Sequence, residues 1–332
     1  MRRTFCFGND VAITKTATIA GPKEGDGPLK KYFDYILHDD VIGQKSHEEA
    51  EIAMQLSVIK KILNKSKRRE EDVDCVFGGD LLDEIVGCNF AMRELEIPFL
   101  GLYNACATFG SSLLLAAAMI HTGLMERAIC TTTSHFATAE RQYRFPLELG
   151  SQRTPLAQWT VTGAGCSLLE KKTDFGVKVT YGTIGKVVDY GVSDANDMGA
   201  VMAPAALEVL KAHFADTGRS VDDYDMIATG DLGHGGSRLL QVLAEKEGIR
   251  LEKNYTDCGI LIFNREGQDV GQGGSGACCS NLVFNGYLYT QLKRGTIKRL
   301  LLIPTGALLS KITALQGETI PAIAHAVAIE VA

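Results

Sequence analysis

The sequence lacks two features that would define its surroundings: a long apolar run and an excess of positive charge. A membrane-spanning helix needs about 20 consecutive apolar residues, and the best candidates here, 113–120 and 300–304, are much shorter. The net charge of the 332 residues is -6, whereas a nucleic-acid-binding domain usually carries a basic patch. We therefore expect no membrane span and no nucleic-acid partner.

An apolar leader segment and metal-type cysteine spacing are also missing. The first ten residues, MRRTFCFGND, do not lead into an apolar signal segment, so we expect a cytoplasmic location. The nine cysteines have no zinc-type spacing, and in a reducing compartment we expect free thiols. The acidic residues of DYGVSDANDMG, 189–199, do not follow the spacing of an EF-hand. We therefore expect no metal site and no cofactor.

What the sequence does contain is an internal repeat in two ordered parts. EDVDCVFGGDLL at 71–82 aligns with DDYDMIATGDLG at 222–233, and each follows a helix with an apolar stripe, 52–63 or 205–214. ACATFGSSLLLAAAMIHTG at 105–123 aligns with ACCSNLVFNGYLYTQLKRG at 277–295. Short apolar strands that alternate with helices are typical of sheets covered on both faces. We predict a duplicated α/β protein with halves 1–175 and 176–332, and loops 141–155 and 273–276 that line a cleft.

Cys106 is the residue that suggests chemistry most directly. It follows a short apolar strand, 98–103, and stands at the start of a long apolar helix. Unpaired backbone N–H groups and the helix dipole at such a position lower the pKa of a thiol, and they can also hold a carboxylate or an oxyanion. The position alone leaves three roles open: nucleophile, part of a binding site, or packing.

Several motifs resemble known families. The duplicated halves with a cysteine before a buried helix resemble the thiolase superfamily, which includes the ketoacyl synthases, and VTGAGC at 161–166 and IPTGALLS at 303–310 resemble its glycine-rich turns. Three longer runs, TSHFATAERQYRFPLELGSQRTPLAQWTVTGAGC, GGSGACCS and QGETIPAIAHAVAIE, resemble the stage V sporulation protein AD family of spore-forming bacteria. The resemblance implies a thiolase-like α/β fold, in which duplicated halves form stacked mixed sheets with buried helices in layers.

The catalytic partners that thiolase-type enzymes use are not at the positions where the resemblance places them. Such enzymes pair the cysteine with a histidine and with a second histidine, an asparagine or a second cysteine. The first histidine would fall near Gly230, and the nearest one is His234. The asparagine would fall near 274 or 278 and the second cysteine near 304 or 305, and neither is present. We expect a protein without acyl-transfer activity; the alternative is an active acyltransferase with Cys106 as nucleophile and His234 as base.

The sporulation family implies a ligand and partners. It implies binding of dipicolinic acid, or its calcium chelate, for uptake into the developing spore, together with integral membrane proteins of a channel assembly at the spore inner membrane. Thiolase folds imply a homodimer. A flat dicarboxylate needs hydrogen-bond donors, cations and an apolar wall. We expect these ligand-binding residues: Cys106, Thr133, Ser134, His135, Arg141 and Arg144.

Each candidate residue also has a purely structural interpretation. Thr133 and Ser134 could cap a turn, His135 could be an interior histidine, and the arginines could pair with nearby glutamates. A structural subunit with an empty cleft therefore stays open as a third function beside the binding protein and the enzyme.

Overall fold

The computed structural model describes residues 2–143 and 153–332, and within them strands and helices alternate as the sequence predicts. The strands are β1 (Thr4–Cys6), β2 (Val11–Ala20), β3 (Tyr35–Ile36), β4 (Cys75–Gly79), β5 (Phe99–Gly101), β6 (Arg127–Ser134), β7 (Trp159–Thr160), β8 (Gly163–Lys171), β9 (Val177–Thr183), β10 (Met226–Thr229), β11 (Tyr255–Asp257), β12 (Gly274–Ser275), β13 (Arg299–Ile303), β14 (Thr305–Ala307), β15 (Ala322–Ala324) and β16 (Ala326–Val331). The α-helices are α1 (Pro22–Gly25), α2 (His47–Ser66), α3 (Val86–Met92), α4 (Thr108–His121), α5 (Phe136–Tyr143), α6 (Met198–Thr217), α7 (Gly233–Lys246), α8 (Cys258–Ile262), α9 (Cys279–Val283), α10 (Tyr289–Arg294) and α11 (Lys311–Leu315). Short 3₁₀ turns span Lys30–Tyr32, Glu70–Asp72, Asp83–Ile85 and Val221–Asp223, and a π-helical turn, Phe284–Leu288, joins α9 to α10.

The long helices begin and end where the sequence provides caps. The side chain of Ser46 accepts a hydrogen bond from the backbone N–H of Glu49 at the start of α2, and Asp197 does the same for Ala200 at the start of α6. Such side-chain acceptors satisfy N–H groups that have no partner inside the helix. The helix α6 ends at Gly218, whose φ of 71° is accessible to glycine at little cost.

One mixed sheet runs through the molecule in the order β11-β10-β13-β16-β9-β2-β8-β6-β4-β5. In the first half, β4 pairs in parallel with β5 and β6, and β6 pairs antiparallel with β8. In the second half, β10 pairs in parallel with β11 and β13, and β13 pairs antiparallel with β16. The two five-stranded units meet at a single residue pair between β2 and β9, Ala12 with Lys178. The pairing pattern is therefore repeated, as the internal repeat predicts.

Helices cover both faces of each five-stranded unit. The helix α4 and the continuous helix formed by α9, the π-helical turn and α10 share one buried cluster, in which the rings of Phe109 and Phe284 lie 5.8 Å apart. A second cluster joins α2 and α3 to the first unit, and a third joins α6 and α7 to the second. These layers place α4, with Cys106 at its start, in the middle of the molecule.

The boundary predicted between residues 175 and 176 falls in the connection between β8 and β9. Because the two units share a sheet and a buried helical layer, the division into two halves stays a prediction. Within the described part of the chain, none of the helices combines the length and the apolar content needed to cross a bilayer.

Candidate functional site

Cys106 lies in a tight turn between β5 and α4. Ala105, immediately before it, has a φ of 49°, in the left-handed region. The backbone N–H groups of Ala107 and Thr108 donate to the carbonyl oxygens of Asn104 and Ala105, at 3.0 and 3.2 Å. The turn therefore occupies N–H groups that we expected to be unpaired beside the sulfur, and that part of the prediction is wrong.

A cavity of about 60 Å³ opens in front of Cys106 and has room for a few water molecules. Residues of both halves line it, and most of the wall is apolar. The apolar lining residues are Leu81, Ala105, Ala139, Met198, Met202, Ala307 and Leu309. Cys106, Gly276 and four hydroxyl groups, those of Tyr103, Tyr143, Thr160 and Ser275, complete the described lining.

Asp231 is a buried carboxyl group next to this cavity, and only 1% of the residue is exposed. Its Oδ2 accepts hydrogen bonds from the Ser275 hydroxyl at 2.8 Å and from the backbone N–H of Gly276 at 3.1 Å. Its Oδ1 accepts a hydrogen bond from the Thr305 hydroxyl at 2.8 Å. Burial raises the pKa of Asp231, although these donors and Cys106 act in the opposite direction.

The thiol of Cys106 is held in its protonated form. Burial, and then the charge of Asp231 and a hydrogen bond to it, raise the pKa of Cys106 well above its usual value. The Gly276 backbone and the Ser275 hydroxyl, whose Oγ lies 4.0 Å from the sulfur, oppose this shift only in part. The sequence predicted a lowered pKa from the helix start. That prediction is wrong, because a carboxyl group and burial outweigh the helix end at this position.

No hydrogen bond joins the Cys106 sulfur to an imidazole within the described ranges. His234 lies in the first turn of α7, where its backbone N–H donates to the Gln272 carbonyl at 2.8 Å. A histidine that the sequence analysis did not single out, His325, lies behind the turn, with its Nε2 3.4 Å from the amide nitrogen of Asn104. Burial lowers the pKa of His325 to about 4, so this ring is neutral at physiological pH.

The Asp231 network lies close in the sequence to the positions where the resemblance places the catalytic partners of thiolase-type enzymes. Position 230 precedes Asp231, position 274 precedes Ser275, and position 305 is Thr305. The sequence analysis missed these three residues as a group. The available signal was the Gly-Asp-Leu motif of the repeat, which contains Asp231.

Thr133 and Ser134 are fully buried at the end of β6, and their hydroxyl groups bond to the neighbouring backbone. The Thr133 hydroxyl donates to the Gly163 carbonyl at 2.8 Å. The Ser134 hydroxyl donates to the Val161 carbonyl at 2.7 Å and accepts from the backbone N–H of Cys278 at 3.2 Å. Neither residue lines the cavity. Their role in ligand binding stays a prediction.

His135 is buried away from the cavity wall. Its Nε2 donates to the Asp40 carbonyl at 2.8 Å, and its Nδ1 accepts from the backbone N–H of Ala137 at 3.1 Å. One possible ligand atom from each of Asp40, His47 and His135 lies within 4.8 Å of the others. Both ring nitrogens of His135 are already engaged, so this cluster offers no free imidazole pair for a metal.

The predicted arginines do not contribute to the described cavity wall. The side chain of Arg141 pairs with Glu48 at 2.8 Å and is partly exposed. Arg144 lies outside the described residues, as does most of the loop 141–155 that we expected to line the cleft. The loop 273–276 does reach the cavity, through Ser275 and Gly276. Of the predicted ligand-binding residues that the structure describes, only Cys106 lines the cavity.

Comparisons with known proteins point to one family and one fold. A family model described as stage V sporulation protein AD matches residues 1–330. Stage V sporulation protein AD of Bacillus subtilis (strain 168) is 40% identical over 329 residues, which span 99% of this chain and 97% of that protein. The crystal structure of a single-residue variant of OleA from Xanthomonas campestris covers 97% of this chain and 98% of its own, with a TM-score of 0.61 and 12% identity. The crystal structure of 3-oxoacyl-[acyl-carrier-protein] synthase III from Aquifex aeolicus VF5 covers 96% of this chain and 99% of its own, with a TM-score of 0.55 and 14% identity. These structural likenesses confirm the thiolase-like fold.

Proposed function

Since the chain belongs to the stage V sporulation protein AD family, we propose that it is a sporulation protein that binds dipicolinic acid, or its calcium chelate, in the cavity beside Cys106 and transfers no acyl group. The ligand is the one that the family resemblance implies. The observation that carries the proposal is the composition of the site: Asp231, bonded to Ser275, Gly276 and Thr305, lies beside the cavity, and no hydrogen bond joins the Cys106 sulfur to an imidazole among the described residues.

The chemistry of the site argues against acyl transfer. A cysteine attacks a thioester as its thiolate, and it needs a neighbouring base or a lowered pKa to supply that form. Here the pKa of Cys106 is raised, and the polar group beside the sulfur is a carboxyl rather than an imidazole. The runner-up function, an acyltransferase with Cys106 as nucleophile, therefore lacks support from the geometry of the described residues.

The cavity wall suits a small flat molecule. Leu81, Met198 and Met202 supply apolar surface for an aromatic ring, and Tyr103 and Thr160 add hydroxyl-bearing residues to the lining. At about 60 Å³ the cavity is smaller than the roughly 150 Å³ that one aromatic ring needs, so the proposal requires the cavity walls to move apart when the ligand enters.

The charge of the cavity favours one form of the ligand. The lining residues that the structure describes include no lysine or arginine, and the Asp231 carboxyl lies next to the wall. A free dicarboxylate dianion is repelled there, whereas the calcium chelate has no net charge. We therefore propose that the calcium chelate binds more tightly than the free dianion.

Calorimetry with matched cysteine variants tests this proposal. Dipicolinate is titrated with and without equimolar Ca²⁺ into the wild type, C106F and C6F. Because Cys106 lines the cavity and Cys6 is exposed elsewhere, we expect C6F to bind as the wild type does and C106F to bind at least tenfold more weakly. Absence of heat and of a thermal shift with millimolar ligand contradicts the binding proposal. An acyl adduct on Cys106 after incubation with acyl-CoA, detected by intact mass spectrometry, favours the acyltransferase. If the protein shows neither ligand binding nor an acyl adduct, a structural subunit is favoured.

We also propose a homodimer and a peripheral position at the spore inner membrane, beside the integral membrane proteins that the family resemblance implies. The strand β5 is at one end of the sheet order, and Phe90, Leu100 and Tyr103 near it are each 44% exposed. Pairing of this strand with a second copy would cover apolar surface and an open sheet edge. Light scattering on the wild type and on L100K tests the dimer: a wild-type monomer at micromolar concentration contradicts it.

A further inference from the structure

We infer that Asp231 is a positioning residue that holds the proton on the Cys106 sulfur and thereby suppresses nucleophilic attack by this cysteine. The inference deepens the proposed function and rests on it, because it explains how a thiolase-like cavity could keep its cysteine without reacting with a thioester. Asp231 comes from the second half of the chain, whereas Cys106 comes from the first.

The hydrogen bonds of Asp231 leave one acceptor position for the sulfur. An ionised carboxylate has about four acceptor positions. Ser275 and Gly276 fill two positions on Oδ2, and Thr305 fills one on Oδ1. The Ser275 hydroxyl that donates to Oδ2 lies 4.0 Å from the Cys106 sulfur, which places the thiol next to the carboxyl group. A thiol at this place can donate to the remaining acceptor position of Asp231, whereas a thiolate would put two negative charges side by side.

Two separate elements hold the carboxyl of Asp231, which follows β10. Ser275 and Gly276 belong to β12 and its end, and Thr305 begins β14. Gly276 has a φ of 106°, and a Cβ there would meet the Ser134 hydroxyl at 2.9 Å. The loop therefore needs glycine at this position in order to bring its N–H to Asp231.

The other titratable groups around the pair do not favour a thiolate. The charge of Asp231 acts on the Asp257 carboxyl and on the buried thiols of Cys258 and Cys279. The charge of Cys106 acts on the cavity residues Tyr103 and Tyr143. All are neutral or negative, so within the described residues no cation compensates a charge on the sulfur.

Isosteric replacement of Asp231 tests the inference. In D231N the amide oxygen can accept from Gly276 and Ser275, and the amide N–H₂ can donate to the Thr305 hydroxyl oxygen. The negative charge is removed, and only the hydroxyl proton of Thr305 loses its acceptor. The control is D80N, which removes the carboxyl of the corresponding turn in the first half, where no contact with Cys106 exists. Thermal melting establishes that each variant is folded.

The readout is the rate of alkylation by iodoacetamide from pH 6 to 10, resolved for each cysteine by peptide mass spectrometry. The exposed Cys6 serves as an internal reference. We expect D231N to raise the Cys106 rate at pH 8 at least tenfold and to lower the midpoint of its pH profile by at least one pH unit. The Cys6 rate, and the Cys106 rate in D80N, should stay within twofold of the wild type. A Cys106 rate in D231N within twofold of the wild type overturns the inference.

The wild type alone gives a second test that does not depend on the folding of a variant. The Cys106 midpoint should lie above that of Cys6, and a midpoint at or below that of Cys6 contradicts the inference. Calorimetry with calcium dipicolinate separates this result from the proposed function. If calcium dipicolinate binds with heat but Cys106 of the wild type is alkylated rapidly, only the role of Asp231 is contradicted. If no binding heat appears but Cys106 is alkylated slowly, only the binding proposal is contradicted.

Discussion

The chain contains the same Gly-Asp-Leu turn twice, and the two copies use their aspartate differently. In the first half, Asp80 accepts hydrogen bonds from the backbone N–H groups of Leu82 at 2.8 Å and Cys88 at 2.6 Å. Both partners follow within eight residues of the turn. In the second half, Asp231 accepts from Ser275, Gly276 and Thr305, which are 44 to 74 residues away in the sequence.

A third carboxyl takes over in the second half the task that Asp80 performs in the first. Asp257 accepts from the backbone N–H groups of Leu232 and Gly233, at 2.9 and 3.0 Å, and thereby supports the turn after β10. Because Asp257 supports the turn, Asp231 is free to point towards the cavity. The difference between the two turns shows how the site arises: the aspartate of the second turn no longer supports its own turn, and its carboxyl bonds to residues beside the cavity instead.

This comparison predicts a large stability difference between D257N and D231N. Oδ2 of Asp257 accepts from Thr229 and Leu232, and Oδ1 accepts from Gly233 and Ile260. An asparagine leaves at least one of these buried backbone N–H groups without an acceptor, which costs about 2 to 3 kcal/mol. In D231N the Gly276 N–H and the Ser275 hydroxyl keep their acceptor and only the Thr305 hydroxyl proton loses one, so we expect a smaller cost of about 1 kcal/mol. Urea unfolding at pH 8 measures both values.

D80N, at the corresponding turn of the first half, provides the control for D257N and D231N. In D80N both carboxyl oxygens face backbone N–H groups, so one of these donors loses its acceptor and the cost should approach that of D257N. Equal costs for D257N and D231N would show that the two acids of the second half share the same structural task, and they would remove the distinction on which the comparison depends.

The pH dependence of stability sharpens the comparison, because the two supporting acids titrate at different pH values. Burial raises the pKa of Asp80 to about 6 and that of Asp257 to about 7, from an ordinary value of 3.8. An acid with a raised folded-state pKa binds its proton more tightly when folded, so its contribution is present at low pH and is lost as the pH rises through 6 or 7. Between pH 5.5 and 7, titration of Asp257 should lower the free energy of unfolding by about 2 kcal/mol, and titration of Asp80 by about half as much. D257N and D80N should each lack the corresponding part of this decrease.

Urea unfolding at several pH values measures these slopes. Glu24, whose pKa burial also raises to about 7, is unchanged in both variants. The difference between the variants therefore isolates the two aspartates. Burial lowers the pKa of His325 to about 4, so this histidine adds stability over the same pH range, and it does so equally in the wild type and in both variants. A pH slope of D257N equal to that of the wild type would contradict the direction assigned to Asp257.

Much of the fold could be predicted because the repeat marks corresponding elements. The predicted helices 52–63 and 205–214 lie within α2 and α6, and the aligned GDL segments follow β4 and β10. Matching details extend to the acids before these strands. Asp74 accepts from the backbone N–H groups of residues 126 and 127, and Asp225 accepts from those of residues 298 and 299. Local periodicity and turns carry this information, so a single sequence suffices for it.

The site could be predicted only as far as Cys106, because its other members meet through topology. Ser275 lies 169 residues from Cys106 in the sequence, and β12 brings it near the sulfur. The pKa of the thiol was predicted in the wrong direction, since the helix end is a local signal and the Asp231 carboxyl is a distant one. Thr133 and Ser134 lie at the end of β6, but their hydroxyls donate to backbone carbonyls and not towards the cavity. The sequence locates the strand end and does not determine which way its side chains are bonded.

The aligned cysteines of the two halves give the smallest expected effect. Cys278, the counterpart of Cys106 in the repeat, is fully buried in the central cluster, whereas Cys106 is only partly buried at the cavity. We expect C278A to cost about 1 kcal/mol through lost buried surface and packing, and C106A to cost less than about 0.5 kcal/mol. Thermal melting should show a decrease of roughly 2 °C for C278A. A partly exposed side chain loses less buried surface than a fully buried one, so equal decreases in melting temperature would show that Cys106 contributes more to packing than its exposure predicts.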